Sequence, residues 1–171
     1  IKDVINKIKS SGIADTYRAI KNKLYYPMAM GYAAVGTISH KNEIYNLSEG
    51  TRVFTNSFHQ EEALVDYNMC VKIPENVDNK SASFGAIGGI AMQSIKCIPE
   101  ESKFIAIIGL GLLGQVTFRI LHALGYQCIV YDIDKKKVDL AVKYGAKGIH
   151  KNNITETILN FTKGKGVDCT I

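Results

Sequence analysis

The sequence Phe104-Ile-Ala-Ile-Ile-Gly-Leu-Gly-Leu-Leu-Gly-Gln115, followed by Asp132, is the strongest indication of the fold of this chain. Its first five residues are apolar and predict a buried parallel strand. Three glycines then form the pattern G-x-G-x-x-G, and a helical pattern begins at once. A second apolar run ends on Asp132, 18 residues after the last glycine. This order of strand, glycine loop, helix, strand and acid is typical of a dinucleotide-binding unit.

Each residue of the glycine loop has a separate physical role in such a unit. Gly109 allows the tight turn from strand to helix, and Gly111 lets the backbone come close to a pyrophosphate. Gly114 allows the helix to pack closely on the strand. The amides of Leu112 and Leu113, at the positive end of the helix dipole, are predicted to hold the phosphates.

Asp132 is the candidate for binding the adenosine ribose, because it ends the second strand. Its carboxylate can accept hydrogen bonds from both ribose hydroxyls and would repel a 2′-phosphate, so the sequence favours NAD over NADP. The alternative is a glycine-rich turn in an α/β protein that binds no ligand. A lone G-x-G-x-x-G would favour that alternative, whereas the complete context favours dinucleotide binding.

The composition is that of an ordinary globular protein, with 171 residues of which 46% are apolar and 22% charged. No apolar run approaches the ~18 residues that span a bilayer, so we expect no membrane association. Four scattered cysteines without a C-x-x-C pair indicate reduced thiols and a cytoplasmic location. The net charge of +5 comes from dispersed lysines. They form no basic stripe with interleaved aromatics, which argues against nucleic-acid binding.

Both ends of the sequence lie inside predicted elements. Ile1 falls within an amphipathic pattern, and Ile171 falls within an apolar strand. We therefore expect the sequence to be a fragment of a longer protein.

Residues 1–98 are predicted to form two short helices, a small β region and a helical connector. The helices occupy residues 1–24 and are broken at Ser10-Ser-Gly12. The β region runs from Pro27 to about Pro74, and the connector helix spans residues 83–96. The second N-terminal helix carries an apolar stripe formed by Ile13, Tyr17, Ile20 and Leu24. The strand candidates of the β region are residues 35–39, 51–54 and 62–66.

Residues 99–171 alternate strands and helices, which predicts an α/β fold with one βαβαβ half of a doubly wound parallel sheet and the start of the other half. The helix after the glycine loop is predicted to stop at Gly125, and Asp134 is predicted to cap the next helix. The predicted inward positions are Leu113, Val116, Ile120 and Leu124 on the first helix and Val138, Ala141 and Val142 on the second. The later elements are a strand at 148–150, a helix at 155–162 and a strand at 168–171.

Several further segments carry a family resemblance. They are Gly31-Tyr-Ala-Ala-Val-Gly36, Gly50-Thr-Arg-Val53, His59 with Val71-Lys-Ile-Pro74, Ala141-Val-Lys-Tyr-Gly-Ala146 and Phe161-Thr-Lys-Gly-Lys-Gly-Val-Asp168. Together with the glycine loop, they resemble the medium-chain dehydrogenase/reductase superfamily, which includes the zinc alcohol dehydrogenases. The resemblance implies a partial GroES-like β domain followed by a partial Rossmann domain. It also places Lys137 where the family reaches the adenosine ribose, although a solvated lysine is the alternative.

A narrower resemblance is to a bi-domain oxidoreductase subgroup, in which a dehydrogenase-like half is fused to a glucose–fructose oxidoreductase-like half. The segment Gly12-Ile-Ala-Asp-Thr-Tyr-Arg-Ala-Ile-Lys-Asn-Lys-Leu24 looks like that subgroup's insertion. The resemblance implies a small-molecule substrate, with a sugar or nucleotide-sugar as one class. Two further associations stay open: assembly into a homo-oligomer, and fusion to a second oxidoreductase domain.

The departures from the zinc enzymes concern the metal ligands. The Gly-His-Glu segment of those enzymes supplies a histidine ligand, whereas the matching segment here is Gly31-Tyr32-Ala33. Catalytic zinc requires three protein ligands and an open fourth position. The sequence offers no such set, because its histidines are isolated, and we expect no zinc. These histidines are His40, His59, His122 and His150.

The sequence therefore predicts an NAD-dependent, alcohol dehydrogenase-like oxidoreductase that transfers a hydride without zinc. Tyr32 is the candidate catalytic residue, since its phenol could donate a proton to a carbonyl oxygen. A tyrosine that packs beside the Gly31 turn is the structural alternative. Two other functions stay open: a non-catalytic dinucleotide-binding or assembly module, and a methyltransferase, which the β region and the loop residues Leu112 and Leu113 disfavour.

Overall fold

The computed structural model describes residues 2–25, 29–40, 47–150 and 153–171. The N-terminal helix α1 (Lys2–Tyr25) is interrupted at Gly12, whose φ of 80° and ψ of 165° are not helical. The predicted break at this glycine is therefore confirmed. The predicted start of the β region at Pro27 lies outside the described residues. No helix in the described ranges is long and apolar enough to cross a membrane.

The described side chains of the apolar stripe of α1 are exposed to solvent. Ile13 and Tyr17 are both largely accessible, whereas Thr16 is buried. The Thr16 hydroxyl donates to the Gly12 carbonyl at 2.8 Å, which ties the second half of the helix to the break.

A three-stranded antiparallel sheet follows α1. Strand β2 (Arg52–Thr55) pairs with β1 (Ala34–Thr37) on one side and with β3 (Cys70–Lys72) on the other. The predicted strand at residues 62–66 is wrong, because this segment is irregular chain and its Leu64 is fully exposed. The segment contains a short apolar run at residues 63–65, but it is β3 that pairs with β2 as the third strand of the sheet.

A connector joins this sheet to the second half of the chain. It comprises the short helix α2 (Asn79–Ala82) and the helix α3 (Gly85–Ile95), so the predicted connector helix is confirmed with a later start. A Cβ on Gly85 would lie 2.9 Å from the Phe54 ring, which shows that α3 begins in close contact with β2.

The second half forms a four-stranded parallel sheet in the order β6-β5-β4-β7. Numbered within the half, this order is 3-2-1-4, as in a Rossmann fold. The strands are β4 (Phe104–Ile108), β5 (Gln127–Tyr131), β6 (Lys147–Ile149) and β7 (Cys169–Thr170), and the helices are α4 (Leu112–Ala123), α5 (Lys135–Lys143) and α6 (Ile154–Phe161). The predicted elements of this half are confirmed, and their bounds shift by one or two residues.

The predicted inward face of α4 is confirmed only in part, because Ile120 packs against the core. Leu113 and Leu124 are exposed, and the buried residues of the helix are Thr117, Phe118 and Leu121. The helix packs on α3 as well as on the sheet, and its buried face is rotated from the predicted one. Val142 on α5 is likewise exposed, whereas the predicted burial of Val138 and Ala141 on the same helix is confirmed.

The main hydrophobic core lies between the parallel sheet and its helices. Connector residues Ile95 and Ile98 join it beside Phe118 and Leu121 of α4. The predicted division of the chain into residues 1–98 and 99–171 stays a prediction.

Candidate dinucleotide-binding site

The glycine loop connects β4 to α4 through a turn that requires glycine at two positions. Gly109 has a φ of 97°, which is in the left-handed region, and its amide donates to the Tyr131 carbonyl at 2.8 Å. A Cβ on Gly114 would lie 2.0 Å from the Gly109 carbonyl oxygen. The first turn of α4 therefore packs against the loop itself.

Gly111 lies in open space by contrast. A Cβ at this position would meet no atom within 4 Å, although its φ of −65° suits any residue. Gly111 is the N-cap of α4 and brings no side chain that could cap the helix. Leu112 and Leu113 begin the helix and are exposed. The positive end of the α4 dipole consequently faces an accessible surface.

Asp132 lies beside this loop and is only 7% exposed. Its Oδ2 accepts a hydrogen bond from the Leu110 amide at 2.6 Å, and its Oδ1 accepts one from the Asp134 amide at 2.8 Å. These two backbone donors, Asp134 first, hold the pKa of the Asp132 carboxyl below its ordinary value. The carboxylate is therefore charged at neutral pH and fixed in orientation.

Two further side chains contact Asp132. Lys137 Nζ lies 3.9 Å from Asp132 Oδ2, and about half of the lysine side chain is exposed. His150 follows β6, and its Nδ1 donates to the Asp132 backbone carbonyl at 3.3 Å. The structure thus brings the glycine loop, Asp132 and Lys137 together. The contact between His150 and Asp132 could not be predicted, because in the sequence this histidine stands apart from the other site residues.

Gln115 links the two helices that border the site. Its Nε2 donates to the Lys137 backbone carbonyl at 2.8 Å, and its Oε1 is buried without a hydrogen-bond partner among the described residues. Gln115 directly follows the last glycine of the loop, and its contact with α5 was not predicted from the sequence. The signal was a polar residue directly after the last glycine, at the start of a helix.

The arrangement fits a dinucleotide. The space above Gly111 and the uncapped start of α4 suit a pyrophosphate. The fixed charge of Asp132 suits a pair of ribose hydroxyls, and Lys137 adds donors at the same place. In the ranges that the structure describes, no group of three or more His, Cys, Asp or Glu side chains is placed to hold a metal ion.

Tyr32 lies in the other region, in the turn that precedes β1, and it is 59% exposed. Gly31 has a φ of 79°, and a Cβ there would lie 2.3 Å from His59 Nε2. The His59 amide donates to the Met30 carbonyl at 2.7 Å, and its Nε2 donates to the Ala33 carbonyl at 3.2 Å. His59 therefore holds the turn on both sides of Tyr32. None of the contacts that join the glycine loop, Asp132 and Lys137 involves this turn.

Comparison with known proteins agrees with this geometry. Residues 104–164 match the family of the NAD binding domain of 6-phosphogluconate dehydrogenase. A putative zinc-binding dehydrogenase from Clostridium scindens superposes with a TM-score of 0.73 at 20% identity, over 89% of this chain and 53% of its own. The 2R,3R-butanediol dehydrogenase of Bacillus subtilis superposes with a TM-score of 0.71 at 17% identity, over 84% of this chain and 51% of its own. Quinone oxidoreductase from Escherichia coli, solved with NADPH, has a TM-score of 0.63 at 21% identity, over 90% of this chain and 52% of its own.

The chain shares the fold of these dehydrogenases and oxidoreductases. It spans about half the length of the solved structures that it matches. In this fold the antiparallel sheet corresponds to the GroES-like part and the parallel sheet to the Rossmann part, as the sequence predicted.

Proposed function

We propose that this chain is the cofactor-binding part of a nicotinamide-dependent oxidoreductase, and that it binds NAD. The observation that carries the proposal is the charged, nearly buried Asp132 beside the open glycine loop. In this assignment Gly109, Gly111 and Gly114 shape the phosphate site, and the amides of Leu112 and Leu113 bind the pyrophosphate. Asp132 and Lys137 bind the adenosine ribose.

The preference for NAD over NADP rests on the charge of Asp132. A 2′-phosphate would meet this carboxylate, and the repulsion would outweigh the attraction of the single lysine 3.9 Å away. The Escherichia coli quinone oxidoreductase was solved with NADPH, so the fold itself accommodates the phosphorylated cofactor. Replacing Asp132 by Ser is expected to lower NAD affinity and raise NADP affinity. Unchanged affinities for both cofactors would refute the assignment.

The proposed reaction is hydride transfer between the cofactor and an alcohol or carbonyl substrate, with a sugar-type substrate as one class. The nicotinamide supplies the hydride chemistry when bound. Tyr32 is the proposed proton donor, in place of zinc, because it stands where the resemblance places a histidine ligand. A general acid contributes about 10²- to 10⁴-fold to a rate. Tyr32→Phe should lower turnover by at least the smaller factor, and elemental analysis should show no stoichiometric zinc.

A non-catalytic dinucleotide-binding module is the second candidate. The catalytic part of the proposal rests on Tyr32 alone, and the exposure of most of its side chain favours this second candidate. The two candidates differ in turnover. The decisive assay follows the absorbance of reduced nicotinamide with a panel of alcohols, sugars and their carbonyl forms. Turnover that depends on Asp132 supports the oxidoreductase, and NAD binding without turnover on the whole panel favours the module.

A further inference from the structure

Gln115 is a half-buried polar residue at the start of α4. It follows Gly114 in the first turn of α4, and Phe118 and Leu121 farther along the helix are buried in the core. Its Oε1 is buried without a hydrogen-bond partner among the described residues. Burying an unpaired acceptor costs free energy, which a side chain such as Leu or Met would avoid.

The other end of the amide makes a directed contact that offsets this cost. Gln115 Nε2 donates to the Lys137 backbone carbonyl at 2.8 Å and thus bridges α4 and α5. The carbonyl belongs to the first turn of α5, which Asp134 caps through the Lys136 amide. The contact therefore fixes the backbone from which the Lys137 side chain extends.

The contacts around this bridge form a closed path. The Lys137 ammonium lies 3.9 Å from Asp132 Oδ2, and the same oxygen accepts from the Leu110 amide at 2.6 Å. Leu110 belongs to the glycine loop, and the loop leads directly into α4 and Gln115. Two hydrogen bonds thereby connect the glycine loop and α4 to the proposed ribose-binding pair. One joins Leu110 to Asp132, and the other joins Gln115 to Lys137.

We propose that Gln115 is a positioning residue for cofactor binding, which holds Lys137 at the distance from Asp132 that the adenosine ribose requires. This inference rests on the proposed function, because it assumes a dinucleotide in the site. Gln115 itself touches neither Asp132 nor, in this proposal, the cofactor. It acts through the backbone of Lys137, and its effect must therefore depend on the lysine side chain.

A double-mutant cycle tests this dependence. NAD is titrated calorimetrically into wild type, Gln115→Met, Lys137→Met and the double variant, and each melting temperature is measured. We expect Gln115→Met to weaken NAD binding about tenfold, as the loss of a strong hydrogen bond does. In the Lys137→Met background the same substitution should change the affinity by less than about twofold. Gln115→Glu, which has an acceptor in place of Nε2, should bind NAD no better than Gln115→Met.

Gln93→Met is the matched control, because Gln93 is exposed on α3 and the substitution is the same. It should leave NAD affinity unchanged. Wild-type affinity in a folded Gln115→Met, or an equal loss in both backgrounds, would overturn the inference while the proposed function stands. Failure of the folded wild type to bind NAD would overturn the proposed function and this inference with it.

Discussion

The two sheets of this molecule organise their candidate functional residues in opposite ways. In the parallel sheet, Leu110, Asp132 and Lys137 come from separate elements and meet through contacts of 2.6 and 3.9 Å. In the antiparallel sheet, the turn of Tyr32 is held by its backbone neighbours, and the phenol is largely exposed. The candidate cofactor site is thus held together by contacts between several elements, whereas the catalytic proposal rests on the position of one side chain.

The two regions also differ in how they are stabilised. Within the described residues of the antiparallel region, the buried apolar side chains are Val53 and Ile73, whereas the parallel region buries most of the core. Burial of apolar area is the dominant stabilising contribution to folding. A disturbance in the Rossmann half should therefore unfold the molecule, and one in the Tyr32 turn should stay local.

The largest expected effect is that of Gly114→Ala. The new methyl group would lie 2.0 Å from the Gly109 carbonyl oxygen, so helix α4 must move away from the loop. Such overpacking costs about 1–3 kcal/mol or more, and we expect a clear drop in melting temperature together with loss of NAD binding. Gly88→Ala in α3 is the control, because its Cβ would meet nothing within 4 Å. Equal melting temperatures for the two variants would contradict the packing role of Gly114.

Gly111→Ala separates binding from folding in the same loop. The φ of −65° accepts alanine and the added Cβ meets no atom, so the melting temperature should stay close to that of wild type. The methyl group would fill space proposed for the pyrophosphate, and NAD affinity should fall at least about tenfold, or about 1.4 kcal/mol. Calorimetry and thermal unfolding on one sample measure both. Retained NAD affinity would show that the pyrophosphate does not bind against Gly111.

Gly31→Ala applies the same logic to the other region. Its φ of 79° disfavours alanine, and the methyl group would overlap the His59 ring, so a local cost of about 1–2 kcal/mol is expected. Turnover should fall because Tyr32 moves, while NAD affinity stays unchanged because the loop is not disturbed. Gly36→Ala, in open space on β1, is the matched control. A loss of NAD affinity in Gly31→Ala would show that the two regions are coupled.

The smallest expected effect is a dependence on acid pH. Backbone donors hold the pKa of Asp132 below its ordinary value of about 3.9. The unfolded chain therefore binds this proton more tightly than the folded one. The stabilisation is present above that ordinary value and is lost as the pH falls through the folded-state pKa. The free energy of unfolding should fall more steeply below pH 4 in wild type than in Asp132→Asn, as denaturant titrations at several pH values would show. The same pH dependence of the free energy of unfolding in both proteins would contradict this role of Asp132.

The elements that could be predicted from the sequence are those set by local signals. The apolar run of β4, the glycines of the loop and the capping role of Asp134 are encoded within a few residues, and the structure has each of them. The pairing of β2 with β3 and the buried face of α4 depend on which distant segment packs nearby. A local apolar run therefore predicts a strand at residues 62–66 that does not form, and helical spacing predicts burial of Leu113, which is exposed.

The residues of the candidate site likewise fall into those set by local sequence and those set by distant contacts. The glycines and Asp132 are visible in the sequence because their spacing is a property of one βαβ unit. The contacts of Asp132 with the Leu110 amide and with His150 are invisible there, because they depend on how three strands align at one edge of the sheet. Gln115 belongs to the same class, since its partner is a backbone carbonyl 22 residues away.

Parallel calorimetric titration of NAD into wild type and Asp132→Ala tests whether Asp132 is a ribose-binding acid. Hydrogen bonds to a charged group contribute about 1.5–3 kcal/mol, so NAD binding should weaken about 10- to 100-fold in a variant that remains folded. Equal NAD affinity in the two proteins, or no binding by folded wild type, would contradict it.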